Sequence, residues 1–208
     1  MKNKSRTNRM ANAIVILLGL LCVQGCSDPQ LKPVPVDGVI LAFGDSLTVG
    51  TGADPSKSYP SVLSELSGRH VVNAGVSGET TASGLQRLPE ALAQTNPDLL
   101  ILAEGGNDIL RSHNPAQTKQ NLAAMIELAQ NQDVQVVLIG VPGKNLFLSA
   151  PSFYEELAQT YQLVFDDQVI ADLLHSPTHK SDPVHLNEKG YRVMAQAIYA
   201  LLRDRGAF

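Results

Sequence analysis

The sequence predicts one α/β domain in three layers, an α/β/α sandwich with a parallel sheet at its centre. Three observations predict it. Five apolar runs are too short for helices, stretches of helical periodicity lie between them, and no repeat or second domain interrupts the alternation. Val39-Ile40-Leu41-Ala42-Phe43 is continuously apolar, as a parallel strand covered on both faces should be. Tyr59, Val62, Leu63 and Leu66 then fall at helical spacing, with Ser58 placed as N-cap and Pro60 in the first turn. Val71-Val72 forms a second brief strand. Leu85, Leu88 and Leu92 continue as a helix that Pro89 should kink or restart.

Leu99–Ala103 is the third strand, and Leu122, Met125, Ile126 and Ala129 mark the helix after it. Val134–Val141 is the fourth strand; Phe153, Leu157 and Tyr161 give the next helix; Leu163-Val164-Phe165 is the fifth strand. Tyr191, Met194, Ala195, Ile198 and Leu202 close the chain with a helix. In open parallel sheets ligands sit beyond the carboxyl ends of the strands, so the chemistry should be carried by the residues that follow each strand.

Composition narrows the class of protein. Of 208 residues, 44% are hydrophobic and 17% charged, which suits a globular body and excludes a disordered chain. The formal net charge of −4 is uneven: Lys2, Lys4, Arg6 and Arg9 all precede the first acid, Asp28. Removing those four from the 16 basic residues leaves 12 against 20 acidic ones, a net charge of −8. A body that acidic does not track nucleic-acid phosphates. The two cysteines, Cys22 and Cys26, supply neither a disulfide framework nor a cysteine-rich zinc site.

The front of the chain reads as an address. A basic start leads into the apolar run Ala13–Val23, about half the roughly twenty residues a bilayer span needs. Val23-Gln24-Gly25-Cys26 resembles the lipoprotein box of bacteria, with cleavage before Cys26 and lipid on its sulfur; an ordinary cleaved signal is the alternative. Ser27 is similar to the form sent to an outer membrane. Residues 1–25 are thus expected to be an export signal, 26–37 a short tether stiffened by three prolines, and 38–208 the folded domain. The protein is expected in the cell envelope, as an outer-membrane lipoprotein facing the periplasm or as a soluble periplasmic protein.

The polar residues after the strands form a hydrolytic set. Gly44-Asp45-Ser46-Leu47 follows strand one, where Ser46 is a candidate nucleophile and Asp45 or Ser46 equally a helix cap. The block is not the Gly-x-Ser-x-Gly elbow of the α/β-hydrolases. Asn73-Ala74-Gly75-Val76-Ser77-Gly78 follows strand two; either Gly75 or Gly78 can offer a backbone N–H to an anion. Gly105-Gly106-Asn107-Asp108 follows strand three, and the Asn107 amide is a candidate oxyanion donor. Two histidines follow an aspartate by three positions, Asp172–His175 and Asp182–His185, a spacing that lets a carboxylate hold an imidazole. The first pair sits in a helical stretch where a surface contact explains it. The second lies beside Pro183 and ahead of a capping Asn187, and the turn favours it. His70 and His113 are weaker candidates for a base. His175, His179, Asp182 and His185 are all ligand types, but Pro177 breaks the helix that would align the first two, so no metal is expected.

Gly44-Asp45-Ser46-Leu47, Gly78, Gly105-Gly106-Asn107-Asp108 and Asp182–His185, in that order, resemble the blocks of the SGNH, or GDSL, hydrolases. The likeness runs from about Val39 to the C-terminus. It is greatest to the bacterial arylesterase and thioesterase–lysophospholipase type, through Asn73-Ala74, Ser77-Gly78-Glu79-Thr80, Gly84-Leu85 and Arg87-Leu88-Pro89. The resemblance implies a flavodoxin-like sheet of order 2-1-3-4-5. It implies Ser46 as nucleophile, His185 as base with Asp182 behind it, and an oxyanion hole from Ser46, Gly78 and Asn107. It selects His185 over His175 and Gly78 over Gly75. Where many members have Asp-Gly-Ile-His-Pro, this chain has Asp182-Pro183-Val184-His185-Leu186.

The expected reaction is hydrolysis of carboxylic esters or thioesters of short to medium acyl chains, without a cofactor. The partners are a small ester or lipid substrate and, through Cys26, a membrane. Removal of acetyl groups from carbohydrates is an alternative, and a non-catalytic envelope lipoprotein another. The apolar residues of Val141–Ala150, the loop after strand four that includes Leu146-Phe147-Leu148, are expected either to line an acyl pocket or to pin the loop to the core.

Overall fold

Central strands covered on both sides must be apolar throughout, and here they are: Ile40, Leu41, Ala42 and Phe43 are fully buried, as are Leu99 to Leu102. The computed structural model describes residues 28–143 and 150–208. The export signal, Cys22, Cys26 and Leu146-Phe147-Leu148 lie outside the described residues. The elements are β1 (Val39–Gly44), α1 (Ser46–Val49), a 3₁₀ turn (Pro55–Lys57), α2 (Tyr59–Ser67), β2 (His70–Gly75), α3 (Thr81–Thr95) and β3 (Leu99–Ala103). They continue with α4 (Gly106–Leu110), α5 (Pro115–Gln130), β4 (Gln135–Ile139), α6 (Ser152–Tyr161), β5 (Val164–Asp166), α7 (Val169–His175) and α8 (Glu188–Asp204).

The five strands are parallel in the order 2-1-3-4-5. Chain direction across the sheet reverses between β1 and β3, so right-handed crossovers place α2 on one face and α3, α5 and α6 on the other. α2 packs with α8, and α8 with α7; α3 packs with α5, and α5 with α6. The reversal opens a crevice at the carboxyl ends of β1 and β3, where Ser46 and Asn107 follow their strands.

Three local expectations change. β2 runs on through Asn73 and Ala74 to Gly75, paired with Ala42, Phe43 and Gly44, where the apolar pattern had suggested only Val71-Val72. It is an edge strand and only half-buried, so backbone pairing with β1 extends it beyond its apolar pair. α3 neither stops nor restarts at Pro89. Pro89 is exposed at the border of the buried stripe that carries Leu88 and Leu92, whose packing holds the helix across the bond it cannot make. The stretch expected as a tether is docked. Leu31 N–H donates to Arg205 O at 2.8 Å and Val34 N–H to Ala207 O at 2.9 Å, the Gln135 amide brackets Lys32, and Val34 is buried. Its prolines stiffen a segment that the C-terminus then holds in place.

Gly75 marks a tight approach of the edge strand to the loop and helix after β1: a Cβ there would collide with Val49 N and crowd Thr48 C and Asp45 O. Gly75→Ala should lower stability by about 1–3 kcal/mol, the usual cost of overpacking, seen as a lower urea midpoint with an unchanged slope. An unchanged midpoint would mean that the loop yields freely.

Candidate active site

β1 delivers Asp45 and Ser46 to the crevice. Asp45 caps α1, its Oδ1 accepting from Leu47 N–H at 2.9 Å, so Ser46 stands at the first helical position. Helix cap and candidate nucleophile are therefore neighbouring residues, and the two readings of this block hold together. The second carboxylate oxygen of Asp45 accepts from the Asn107 side-chain amide at 3.2 Å, tying the loop after β1 to the start of α4. One amide hydrogen of Asn107 is used there and the other is left to act in the crevice.

The turn before α8 brings the imidazole. Asp182 Oδ1 accepts from Val184 N–H and His185 N–H, both at 2.8 Å, and its Oδ2 meets His185 Nδ1 at 2.7 Å. His185 Nε2 lies 3.0 Å from Ser46 Oγ. Partial burial pushes the Asp182 carboxyl up, but the bonds from the His185 ring and from the two amides outweigh it, so its pKa is lowered and the group is ionised beside the ring. Asn187 caps α8 by accepting from Gly190 N–H at 3.0 Å, as its position predicts.

The other histidines are elsewhere. Asp172 and His175 lie on the exposed face of α7, and His70 is exposed at the start of β2. His113 stands 3.6 Å from the buried Asp108, whose oxygens hold Thr81 N–H and Thr81 Oγ1. His179 Nδ1 is engaged by Ser176 Oγ at 2.9 Å.

Gly78 has φ +79°, a backbone region natural to glycine, and Gly75 is part of β2. Among the described residues neither Ser46 N–H nor Gly78 N–H donates to a protein acceptor. Ser46, Gly78 and Asn107 line one cavity of about 560 Å³ together with His185. Its remaining walls are mostly apolar: Leu47, Leu110, Val141, Leu174, Pro183 and Val184. Sequence reasoning offered the stretch that begins at Val141 as lining and named none of the others, because they arrive from α1, α4, α7 and the turn before α8. It also missed Arg111, whose guanidinium donates to Gly78 O at 3.0 Å and fastens the Gly78 loop to the end of α4.

Beneath the site lies a group of buried acids. Arg87 binds Glu79 through two nitrogens, reaches Ala74 O, and stands 4.0 Å over the Phe43 ring. Burial pushes Asp45 up to about 6 against the bond from Leu47 N–H. Glu104, wholly buried with Oε1 unpartnered among the described residues, is pushed up to about 10, by burial first and then by the charges of Asp45 and Glu79. It is therefore a neutral acid at pH 7.

A serine, histidine and aspartate in hydrogen-bonded series beside an apolar-walled cavity are the arrangement of a serine hydrolase, and the strand order is the flavodoxin-like one that SGNH hydrolases share. Residues 42–193 match the model of the GDSL-like lipase/acylhydrolase family, and the chain belongs to that family, a family of serine ester hydrolases. Over 160 residues it is 37% identical to an arylesterase of Vibrio mimicus, covering 72% of this chain and 76% of that one. Over 130 residues it is 37% identical to esterase TesA of Pseudomonas aeruginosa, 60% of this chain and 64% of that relative's length. A crystal structure of TesA superposes with a TM-score of 0.72 at 27% identity, covering 80% of this chain and 99% of that one.

Glu104 gives a test by pH. Below about 4.5 it is protonated folded or unfolded and has no effect; from there to about 10 only the unfolded chain ionises, so stability falls as pH rises. Glu104→Gln removes that slope. The variant should gain stability over wild type progressively from pH 5 to pH 9 in thermal melts. A gap that does not change with pH would mean that Glu104 is ionised in the fold.

Proposed function

We propose that the protein is a serine esterase that hydrolyses carboxylic esters and thioesters of short to medium acyl chains through an acyl-enzyme. The observation that carries this is the 3.0 Å approach of His185 Nε2 to Ser46 Oγ at the floor of an apolar-walled cavity. Ser46 Oγ attacks the ester carbonyl while His185 takes its proton; the carbonyl electrons move onto oxygen. Ser46 N–H, Gly78 N–H and the free Asn107 amide hydrogen hold that oxyanion. Collapse expels the alcohol or thiol, protonated by His185. Water then repeats the sequence and releases the acid. Asp182 fixes the imidazole's tautomer and stabilises its cation.

The lining supports acyl rather than sugar recognition. Leu110, Val141, Leu174 and Val184 offer carbon to a chain, and a carbohydrate needs a wall of polar partners. Rates on esters of increasing chain length, set beside an acetylated sugar, decide between them.

We infer further that residues 1–25 direct export and that Cys26 carries the lipid of an outer-membrane lipoprotein facing the periplasm, with a soluble periplasmic form as the alternative. The basic start, short apolar run and following cysteine support this. Among the described residues no helix is long and apolar enough to cross a membrane.

The deciding experiment is hydrolysis of p-nitrophenyl butyrate by protein beginning after Cys26. Ser46→Ala and His185→Ala, each folded by circular dichroism, should lose roughly 10³-fold or more in kcat, with His175→Ala near wild type. Loss with His175→Ala instead would mean that the wrong Asp–His pair is assigned. No hydrolysis by folded wild type on any ester would favour a binding protein with a hydrolase fold.

Asn107→Ala should lower kcat by about 10²–10³ with KM little changed, the signature of a donor used in the transition state. A larger change in KM than in kcat would contradict that role.

A further inference from the structure

We propose that the protein works with its active-site mouth turned away from the membrane that holds it. Its substrates are then esters that arrive through water or on another surface, and not lipids of its own bilayer. The proposal rests on the anchoring of Cys26 and the esterase activity argued above.

The described residues nearest Cys26 and the site lie at opposite edges of one parallel sheet. Residues 31–39 are fixed to the amino edge by bonds to residues at or before the starts of strands. The Gln135 side chain, at the start of β4, brackets Lys32, and Asp98, just before β3, accepts from Val39 N–H at 2.9 Å. The C-terminal turn holds Leu31 and Val34, and Arg205 pairs with Asp28 at 2.9 Å. Ser46, Gly78, Asn107 and Val141 all follow the carboxyl ends of their strands.

The distances are unequal. From Cys26 to Asp28 the chain reaches at most about 7 Å, so a lipid on Cys26 brings the amino edge against the headgroups. The six residues of β1 then carry the chain about 20 Å further before Ser46, at roughly 3.3 Å per residue. A headgroup layer is only about 5–8 Å deep. The amino edge also presents Val36, 76% exposed, where an apolar side chain next to a bilayer is no liability.

The chain contains no tryptophan, which gives a direct reading of orientation. The full-length protein, made with its own leader and extracted from membranes, is reconstituted into phosphatidylcholine vesicles containing a dansyl headgroup lipid. Val36→Trp places a donor at the amino edge, and Ala116→Trp one on the exposed second residue of α5, beside the carboxyl edge. Energy transfer should be severalfold greater from position 36 than from position 116. Equal transfer, or the reverse order, overturns the proposal without reference to activity.

A second measurement uses p-nitrophenyl laurate, a medium-chain ester that partitions into bilayers and is turned over in detergent solution, placed either in the protein's own vesicles or in added protein-free vesicles. The proposal expects no advantage for the shared bilayer. A gain of tenfold or more there, such as a tether's millimolar effective concentration would give to a mouth facing the lipid, overturns it. The intact mass of the extracted chain separates the causes of failure. Unmodified Cys26 ends both the anchoring reading and this proposal, and loss of p-nitrophenyl butyrate turnover ends the esterase reading alone.

Discussion

One buried carboxylate joins the two halves of the site. Asp45 spends one oxygen on Leu47 N–H and the other on the Asn107 amide, so the start of α1 and the start of α4 are set by the same group. Ser46 and Asn107 follow strands that stay paired as far as Gly44 and Ala103, and beyond that point the sheet's own hydrogen bonding no longer ties the two connections together. The carboxylate does. Because it is almost fully buried, its charge is costly and its pKa rises toward 6, but its two bonds are both to N–H donors and neither is lost to water. The glycines nearby follow from this crowding. A Cβ at Gly106 would press on Asp45 Oδ2, and one at Gly44 would collide with Ala103 O and Thr48 Oγ1.

The floor of the site is also acidic. Asp45, Glu79, Glu104 and Asp108 are all buried, and they are accommodated by different means. Glu79 has the Arg87 guanidinium, Asp108 has the N–H and hydroxyl of Thr81, and Glu104 keeps its proton. Arg87 is the one cation bound to these carboxylates among the described residues apart from His113 when protonated. It also covers Phe43 and ties Ala74 at the edge strand, so removing it would unfasten β2 from the base of α3 as well as leave Glu79 unpaired.

Most of the fold was legible because its central strands are apolar without interruption and its helices keep a strict period. Leu99–Ala103 and the buried stripe of α8 lie where the pattern puts them. What was not legible depends on partners distant in sequence. Asn73, Ala74 and Gly75 carry no strand signal of their own and become β-structure because β1 lies beside them. Pro89 breaks a helix in isolation but is tolerated where Leu88 and Leu92 hold both turns in the core. For the site, the residue types and the Asp–His spacing pointed to a hydrolytic set, but two Asp–His pairs shared that spacing, and the residues alone gave only the turn to prefer one. The resemblance selected His185, and the structure brings its ring to Ser46 while His175 faces solvent on α7. The walls of the cavity were illegible, since Leu110, Leu174 and Val184 meet only after the chain has closed.

The histidine turn departs from the usual Asp-Gly-Ile-His-Pro, and its geometry shows how it still presents the ring to Ser46. Pro183 has no N–H, but the turn does not ask for one: Asp182 Oδ1 takes its two bonds from Val184 and His185, the residues after it. Leu186 replaces a proline and is fully buried, so it anchors the turn by packing where proline would do so by stiffness. Below it, Ser181 N–H donates to His185 O and Asn187 N–H to His179 O, which closes the loop on itself before α8 begins. Asp182 is 44% exposed, unlike a deeply buried acid, and yet it is held by three donors. Its orientation comes from the backbone of the turn, which keeps a solvent-facing carboxylate aimed at one ring nitrogen and leaves the other for Ser46.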